Sequence, residues 1–218
     1  YEILIGLVGS EMCIRDSGAV NTVLNDNGRL IGYNTDGYGF MQSVRDAGHD
    51  ITGKNITVMG VGGASMAICA QSALDGAASV HIFARRTSRY WNRTQKFAEN
   101  LSAKTGCQVC LFDNDDHTAL RDSIAQSYLL INATSVGMVP DIDDTIIKDT
   151  SLFHPELVVA DVVYEPQETR LLREAKATGC QTFNGMYMLL HQGAKAFQIW
   201  TGQEMPVSVI KEKYFSVK

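Results

Sequence analysis

Residues 55–76, "NITVMGVGGASMAICAQSALDG", decide the fold. The run from Asn55 to Met59 has the length and apolar character of a short buried strand. From Ala64 the small and apolar residues continue as a helix, which Gly76 stops. Between them stand Gly60, Gly62 and Gly63. A glycine-rich turn from strand to helix lets the backbone approach a pyrophosphate, while the helix N-terminus offers N–H donors and the positive end of its dipole. The spacing is GxGGAS, so Ser65 stands where the common dinucleotide fingerprint has its third glycine. Gly60, Gly62, Gly63, Ala64 and Ser65 are therefore the expected cradle. Tight-turn packing without a ligand is the alternative for such a motif.

The same unit repeats outward from this stretch. "SVHIFAR" (79–85) is the next strand, "RTQKFAENLSAKTG" (93–106) a helix ended by Gly106, and "QVCLF" (108–112) a strand. "DDHTALRDSIAQ" (115–126) is a helix, "YLLINAT" (128–134) and "LVVADVVY" (157–164) are strands, "TRLLREAKATG" (169–179) is a helix and "QTFNG" (181–185) a short strand. Two helices close the chain, "MYMLLHQGAKAFQIWTG" (186–202) and "VSVIKEKYF" (207–215). Strands alternating with helices of ten or more residues predict an α/β fold, a Rossmann-type doubly wound parallel sheet covered on both faces. The acidic segment "PDIDDTIIKDT" (140–150) lacks a clean period. It reads as a surface loop near the ligand mouth, or as a plain solvated connection.

The end of the second strand is where such folds read the ribose. An Asp or Glu there takes the 2′-hydroxyl of NAD, whereas Arg nearby receives the 2′-phosphate of NADP. Here the strand ends "FARRTSR" (83–89), which supplies Arg85, Arg86, Thr87 and Arg89 and no carboxylate. Guanidinium groups match phosphate oxygens in two-pronged fashion, so NADP is the expected cofactor and NAD the alternative.

Composition narrows the rest. A net charge of -5 argues against a nucleic-acid or anionic-membrane surface as partner. The five cysteines show no disulfide framework, which points to a reducing cytoplasm. Cys107 and Cys110 form a lone CxxC, but zinc needs a second pair, and a redox CxxC belongs at a helix start rather than on a strand. The five histidines lack metal-ligand spacing, so no metal is expected. Asp36 of "NTDG" is a turn carboxylate where a strand pattern gives way to the helix "YGFMQSVRDAG" (38–48), which also suits a helix cap. Asn21 suits a turn, and Gln192 a polar position on an amphipathic helix.

Six motifs occur in order: "GAVNT" (18–22), "GYNTDGYGF" (32–40), "GVGGAS" (60–65), "NATSVGM" (132–138), "VVYEP" (162–166) and "NGMYMLLHQGAKAFQIWTG" (184–202). Together they resemble the shikimate dehydrogenases, from Gly18 to about Phe215. "NDNGRLIGYNTDG" (25–37) looks closest to the quinate/shikimate branch. The resemblance implies a cytoplasmic enzyme, monomer or homodimer, that moves a hydride reversibly between nicotinamide C4 and 3-dehydroshikimate or 3-dehydroquinate. It implies that Asn21 binds substrate hydroxyls, that Asp36 belongs to the catalytic pair and touches substrate, and that Gln192 is a substrate contact. Tyr164 would lie beside the substrate cleft, Gly185 and Met188 at the nicotinamide, and Thr134 and Val136 along the cofactor. Residues 18–35 would end a substrate domain, 36–184 would form the nucleotide domain, and 185–218 would return as helices to the substrate domain. The alternatives are a non-catalytic dinucleotide binder and another Rossmann oxidoreductase. Asn21, Asp36 and Gln192, for which a pure nucleotide binder has no use, favour the dehydrogenase.

The beginning of the chain reads differently. "EMCIRDS" (11–17) has neither strand alternation nor helical period, and its codons can spell GAG ATG TGT ATA AGA GAC AGT, which resembles a transposon-end adapter read in frame. Residues 1–17 are therefore expected to be an artefactual leader, with a genuine N-terminal segment as the alternative. "YEILIGLVG" (1–9) has no basic region and is far short of a membrane span. The family's catalytic Lys and Ser-x-Ser clamp precede "GAVNT" and have no counterpart here, so the 218-residue chain is expected to be truncated and nearly inactive.

Overall fold

The computed structural model describes residues 19–215, so the expectation for the leader at 1–17 lies outside the described residues. Two strands open the described chain, β1 (Thr22–Asp26) and β2 (Arg29–Tyr33), paired antiparallel with Asp26 opposite Arg29. Asn27 and Gly28 turn between them at φ 52° and 89°, the left-handed pair that an Asn-Gly hairpin turn requires. Asn25 Oδ1 accepts from the Gly28 N–H at 2.8 Å and holds the turn shut.

Helix α1 (Asp36–Asp46) follows, and then the repeating part begins. Strands β3 (Asn55–Met59), β4 (Ser79–Ala84), β5 (Gln108–Asp113), β6 (Leu129–Asn132), β7 (Val158–Asp161) and β8 (Gln181–Phe183) form one sheet. They alternate with α2 (Gly63–Leu74), α3 (Trp91–Thr105), α4 (His117–Gln126) and α5 (Arg170–Ala177), and α6 (Met186–Thr201) follows β8. The sheet order is β5-β4-β3-β6-β7-β8 with every pair parallel. This is the doubly wound order, which reverses direction between β3 and β6 and opens a crevice beyond their carboxyl ends.

Side-chain alternation divides the core between the two faces of the sheet. Ile56, Val58, Leu129, Ile131, Val158 and Ala160 join one apolar cluster, and Met59, Leu130 and Val159 join the other. Each fully buried aliphatic side chain contributes about 1.5–3 kcal/mol, which is why these strands read as continuous apolar runs.

Helix α1 lies between α2 and α6, and two glycines make that possible. A Cβ at Gly37 would strike the Ala67 carbonyl of α2, and one at Gly39 would stand 2.8 Å from the Met188 carbonyl of α6. The two residues are two positions apart, so they lie on opposite sides of the helix.

Three elements differ from the sequence reading. The expected strand over 157–164 stops at Asp161, because the following residues leave the sheet to wall the crevice. The last expected helix is a short α turn, α7 (Val207–Ile210), continued by a π-helical turn over Lys211–Phe215. The acidic segment has an anchor: Thr145 and Ile147 are buried, while Ile146 faces the crevice. Among the described residues no helix is long and apolar enough to cross a membrane.

Candidate functional site

The crevice at the switch between β3 and β6 holds two adjoining depressions, of about 910 and 560 Å³, that share Gly62, Ala133, Thr134 and Ser135. Arg85, Thr87 and Arg89 line the larger one, and Val163 and Tyr164 the smaller. The three glycines of the turn have separate jobs. Gly60 sits at φ 113°, and a Cβ there would meet Thr134 Cγ2 at 2.8 Å, so it lets β3 close against the loop after β6. A Cβ at Gly62 would enter open space, so the backbone there is bare toward the crevice. Gly62 caps α2 without any side-chain hydrogen bond, which leaves the first-turn N–H groups without a side-chain acceptor. This is a cradle that fits a dinucleotide pyrophosphate.

Ser65 turns its side chain away from the crevice. Its side chain is buried, and its hydroxyl donates to the Gly60 carbonyl. It fastens the turn from behind, a task that a glycine could not perform. Met188 is likewise a core residue, packed with Phe40 and Met41 in the first apolar cluster rather than lining either depression. Gly185 is buried where any side chain would strike the Val162 carbonyl, and its N–H donates to Val163 at 3.1 Å. Its role is the close approach of α6 to the loop after β7. Ala64 does line the smaller depression.

The arginines also separate. Arg89 lines the crevice, with its guanidinium over the Tyr90 ring. Arg86 stands back from it, stacked on Trp91 at 4.6 Å. Ser88, which the sequence reading passed over, lies with Thr87 and Arg89 along the same wall.

Thr134 and Val136 are held by a buried network. Asn132 Oδ1 accepts from the Thr134 N–H and hydroxyl at 3.1 and 2.7 Å, and Asn132 Nδ2 donates to the Val136 carbonyl at 3.1 Å. The same Nδ2 donates to Asp161 Oδ1 at 3.0 Å. That carboxylate also accepts from the Val163 N–H at 3.0 Å and the Thr169 hydroxyl at 2.8 Å. Asp161 thus ties both loops that wall the smaller depression. Burial pushes its pKa up to about 6, against the pull of these hydrogen bonds. No sequence motif marked it, since it lay inside the apolar run 157–164 that read as one strand.

Beside the crevice, three separated residues converge. Asn21 Nδ2 lies 2.8 Å from Asp36 Oδ1, 3.0 Å from Thr35 Oγ1 and 3.4 Å from Gln192 Oε1. Two N–H groups cannot serve three acceptors fully, so the longest contact, to Gln192, is the weakest of the three. Asp36 is the first residue of α1, and no side-chain cap bond from Thr35 closes that helix start. Asn34 does that local work, accepting from the Asp36 N–H at 2.9 Å. Burial raises the Asp36 pKa, and the Asn21 bond offsets it only in part. Among the described residues no cation pairs with Asp36. Ala19 lies against Gly63, where a Cβ would stand 3.2 Å away, so this cluster adjoins the glycine turn.

The family model described as the Shikimate 5'-dehydrogenase C-terminal domain matches residues 185–213. A shikimate dehydrogenase (NADP(+)) of Listeria innocua is 52% identical over 198 residues, covering 91% of this chain and 68% of its own length. A quinate/shikimate dehydrogenase of Escherichia coli is 41% identical over 195 residues, covering 89% and 67%. The crystal structure of shikimate 5-dehydrogenase from Listeria monocytogenes, in complex with shikimate and NAD, superposes with a TM-score of 0.91 at 48% identity, covering 96% of this chain and 72% of that one.

Proposed function

Since this chain belongs to the shikimate dehydrogenase family, we propose that it serves reversible oxidation of shikimate, and of quinate as a second substrate, with NADP as cofactor. The observation that carries this reading is the convergence of Asn21, Asp36 and Gln192 beside a dinucleotide crevice. A nucleotide-binding module without chemistry has no need of it.

Residues 36–184 form the nucleotide part in this proposal, and 18–35 with 185–218 the substrate part, in a cytoplasmic monomer or homodimer. Gly62, Gly63 and the α2 N-terminus hold the pyrophosphate. Thr87, Ser88 and Arg89 receive the 2′-phosphate, with Arg85 at the rim and Arg86 behind as a second positive charge. Thr134, Val136 and Tyr164 flank the nicotinamide end. When bound, the nicotinamide supplies the hydride acceptor or donor. The protein's share is to hold the substrate carbon in line and manage one proton.

Asn21 and Gln192 grip ring hydroxyls, and Asp36 Oδ2, which has no hydrogen bond to a described residue, faces the hydroxyl that loses its proton. Partial burial holds the Asp36 proton affinity above that of a free carboxyl, which favours proton exchange at that atom. The test is a steady-state assay of shikimate and quinate oxidation with NADP and with NAD, on protein expressed from its chromosomal reading frame. Absence of turnover on both substrates, with NADP still bound, would favour the non-catalytic alternative.

A further inference from the structure

Asp46 is the last residue of α1, and His191 stands on α6 one position before Gln192. His191 Nε2 lies 2.8 Å from Asp46 Oδ2. A carboxylate only accepts, so the ring carries a proton on Nε2 and donates it from one helix to the other. The His191 side chain is 11% exposed, which largely shields this bond from water. Lys211 Nζ donates to the same oxygen at 3.0 Å. Its ammonium also lies 4.1 Å from the centre of the Tyr187 ring, one turn before His191 on α6.

The pair is placed to orient Gln192. Gly39 and Asp46 are seven residues apart on α1, so they lie on one face of it, about 10 Å from each other. At Gly39 the backbone of α6 rests on α1 with no side chain between them, a contact that acts as a pivot. Met188 packs with Phe40 and Met41 in the first apolar cluster, and apolar attraction is non-directional. The Asp46–His191 bond, two turns from the pivot, is directional. Successive side chains on a helix point about 100° apart, so a rotation of α6 that turned Gln192 from Asn21 would also draw His191 from Asp46. Gln192 Oε1 lies 3.4 Å from Asn21 Nδ2, longer than the usual hydrogen bond, so a small turn is enough to lose the contact. Resting on the function proposed above, we infer that Asp46 and His191 are positioning residues: their hydrogen bond holds α6 in the rotation at which Gln192 meets a substrate hydroxyl. They act through Gln192 rather than by touching substrate.

Steady-state kinetics with shikimate and NADP, on protein expressed from its chromosomal reading frame, test this. His191→Leu raises KM for shikimate about tenfold, the scale of one hydrogen bond, while kcat and NADP affinity change little. His191→Gln, which keeps an N–H donor within reach of Asp46, restores most of the loss. Gln192→Ala raises KM by itself, and adding His191→Leu to it raises KM no further, because the two act as one unit. Asp46→Ala removes the acceptor from the more exposed side of the pair and shows the same coupling, so the test stands even where His191→Leu fails to fold. An unchanged KM in both His191→Leu and Asp46→Ala would overturn the inference. So would KM effects that multiply in the double variant, or a parallel loss of kcat, NADP affinity and Tm that His191→Gln does not restore, which marks a merely structural bond. Those outcomes leave the proposed function standing. A parent protein that neither binds nor oxidises shikimate would sink that function, and this inference with it.

Discussion

Gly39 and Gln192 meet backbone against backbone, so closely that a Cβ on Gly39 would stand 2.7 Å from the Gln192 nitrogen. This crossing of α1 and α6 carries the Gln192 side chain to within 3.4 Å of the Asn21 amide, across 171 positions of sequence. The meeting of Asn21, Asp36 and Gln192 therefore depends on one absent side chain.

Gly39→Ala is expected to spread that crossing. Alanine favours an isolated helix by about 1 kcal/mol over glycine, but backbone contact on the facing helix cannot yield as a flexible side chain would. Overpacking should win, at a net cost of roughly 1–3 kcal/mol, read as a Tm lowered by several degrees and a raised KM for shikimate. Gly193→Ala is the control. A Cβ at Gly193 meets nothing within 4 Å, so this variant should be neutral or slightly stabilised.

Asp36→Asn should lower kcat about 10²-fold or more, the usual contribution of a positioned acid or base, with little change in NADP affinity. The amide keeps the Asn21 contact but cannot exchange a proton. Because burial raises the Asp36 pKa, the acid limb of the pH–rate profile should lie above the pH of a free carboxyl. Unchanged turnover in the variant would reduce Asp36 to a helix-start residue.

Arg89 lines the crevice and Arg86 does not, so the two should differ in effect. Arg89→Ala should weaken NADP binding roughly 10- to 100-fold, the value of a charge-assisted hydrogen bond, and leave NAD nearly unchanged. Arg86→Asp should shift preference toward NAD more mildly, through the field at the rim. Parallel binding titrations with the two cofactors decide the order.

The Asp161 carboxyl should make stability fall as pH rises from about 4 to 6. Its pKa is about 6 when folded, against the ordinary 3.8, so across that window the folded state keeps a proton that the unfolded chain has released. Asp161→Asn can still accept from Asn132 and Val163 and can donate to Thr169, so it should fold. Thermal melts at pH 4.5 and 7 should show a smaller loss of Tm across that range in the variant than in the parent. An identical pH response would mean that Asp161 is not the titrating group.

Much of this was legible before any coordinates. The strand and helix order from Asn55 to Phe183 followed from local periodicity and from glycines that stop helices, as Gly106 does at φ 75°. The turn at Asn27-Gly28 and the glycine cradle at Gly60–Gly63 were equally local, since each rests on the backbone freedom of a residue or two. The motifs name positions, whereas the inward direction of the Ser65 and Met188 side chains is set by what packs behind them.

What the sequence by itself determined, then, was the series of βα units, the bare turn and the cationic strand end without a carboxylate. These depend on interactions spanning a few residues. Only the tertiary structure decided the sheet order, the sandwiching of α1 by Gly37 and Gly39, the hub at Asp161 and the bond from His191 to Asp46. Each of these depends on which distant backbones touch, and that is settled by the packing of the whole core, where a gap or clash of one methyl group changes the outcome.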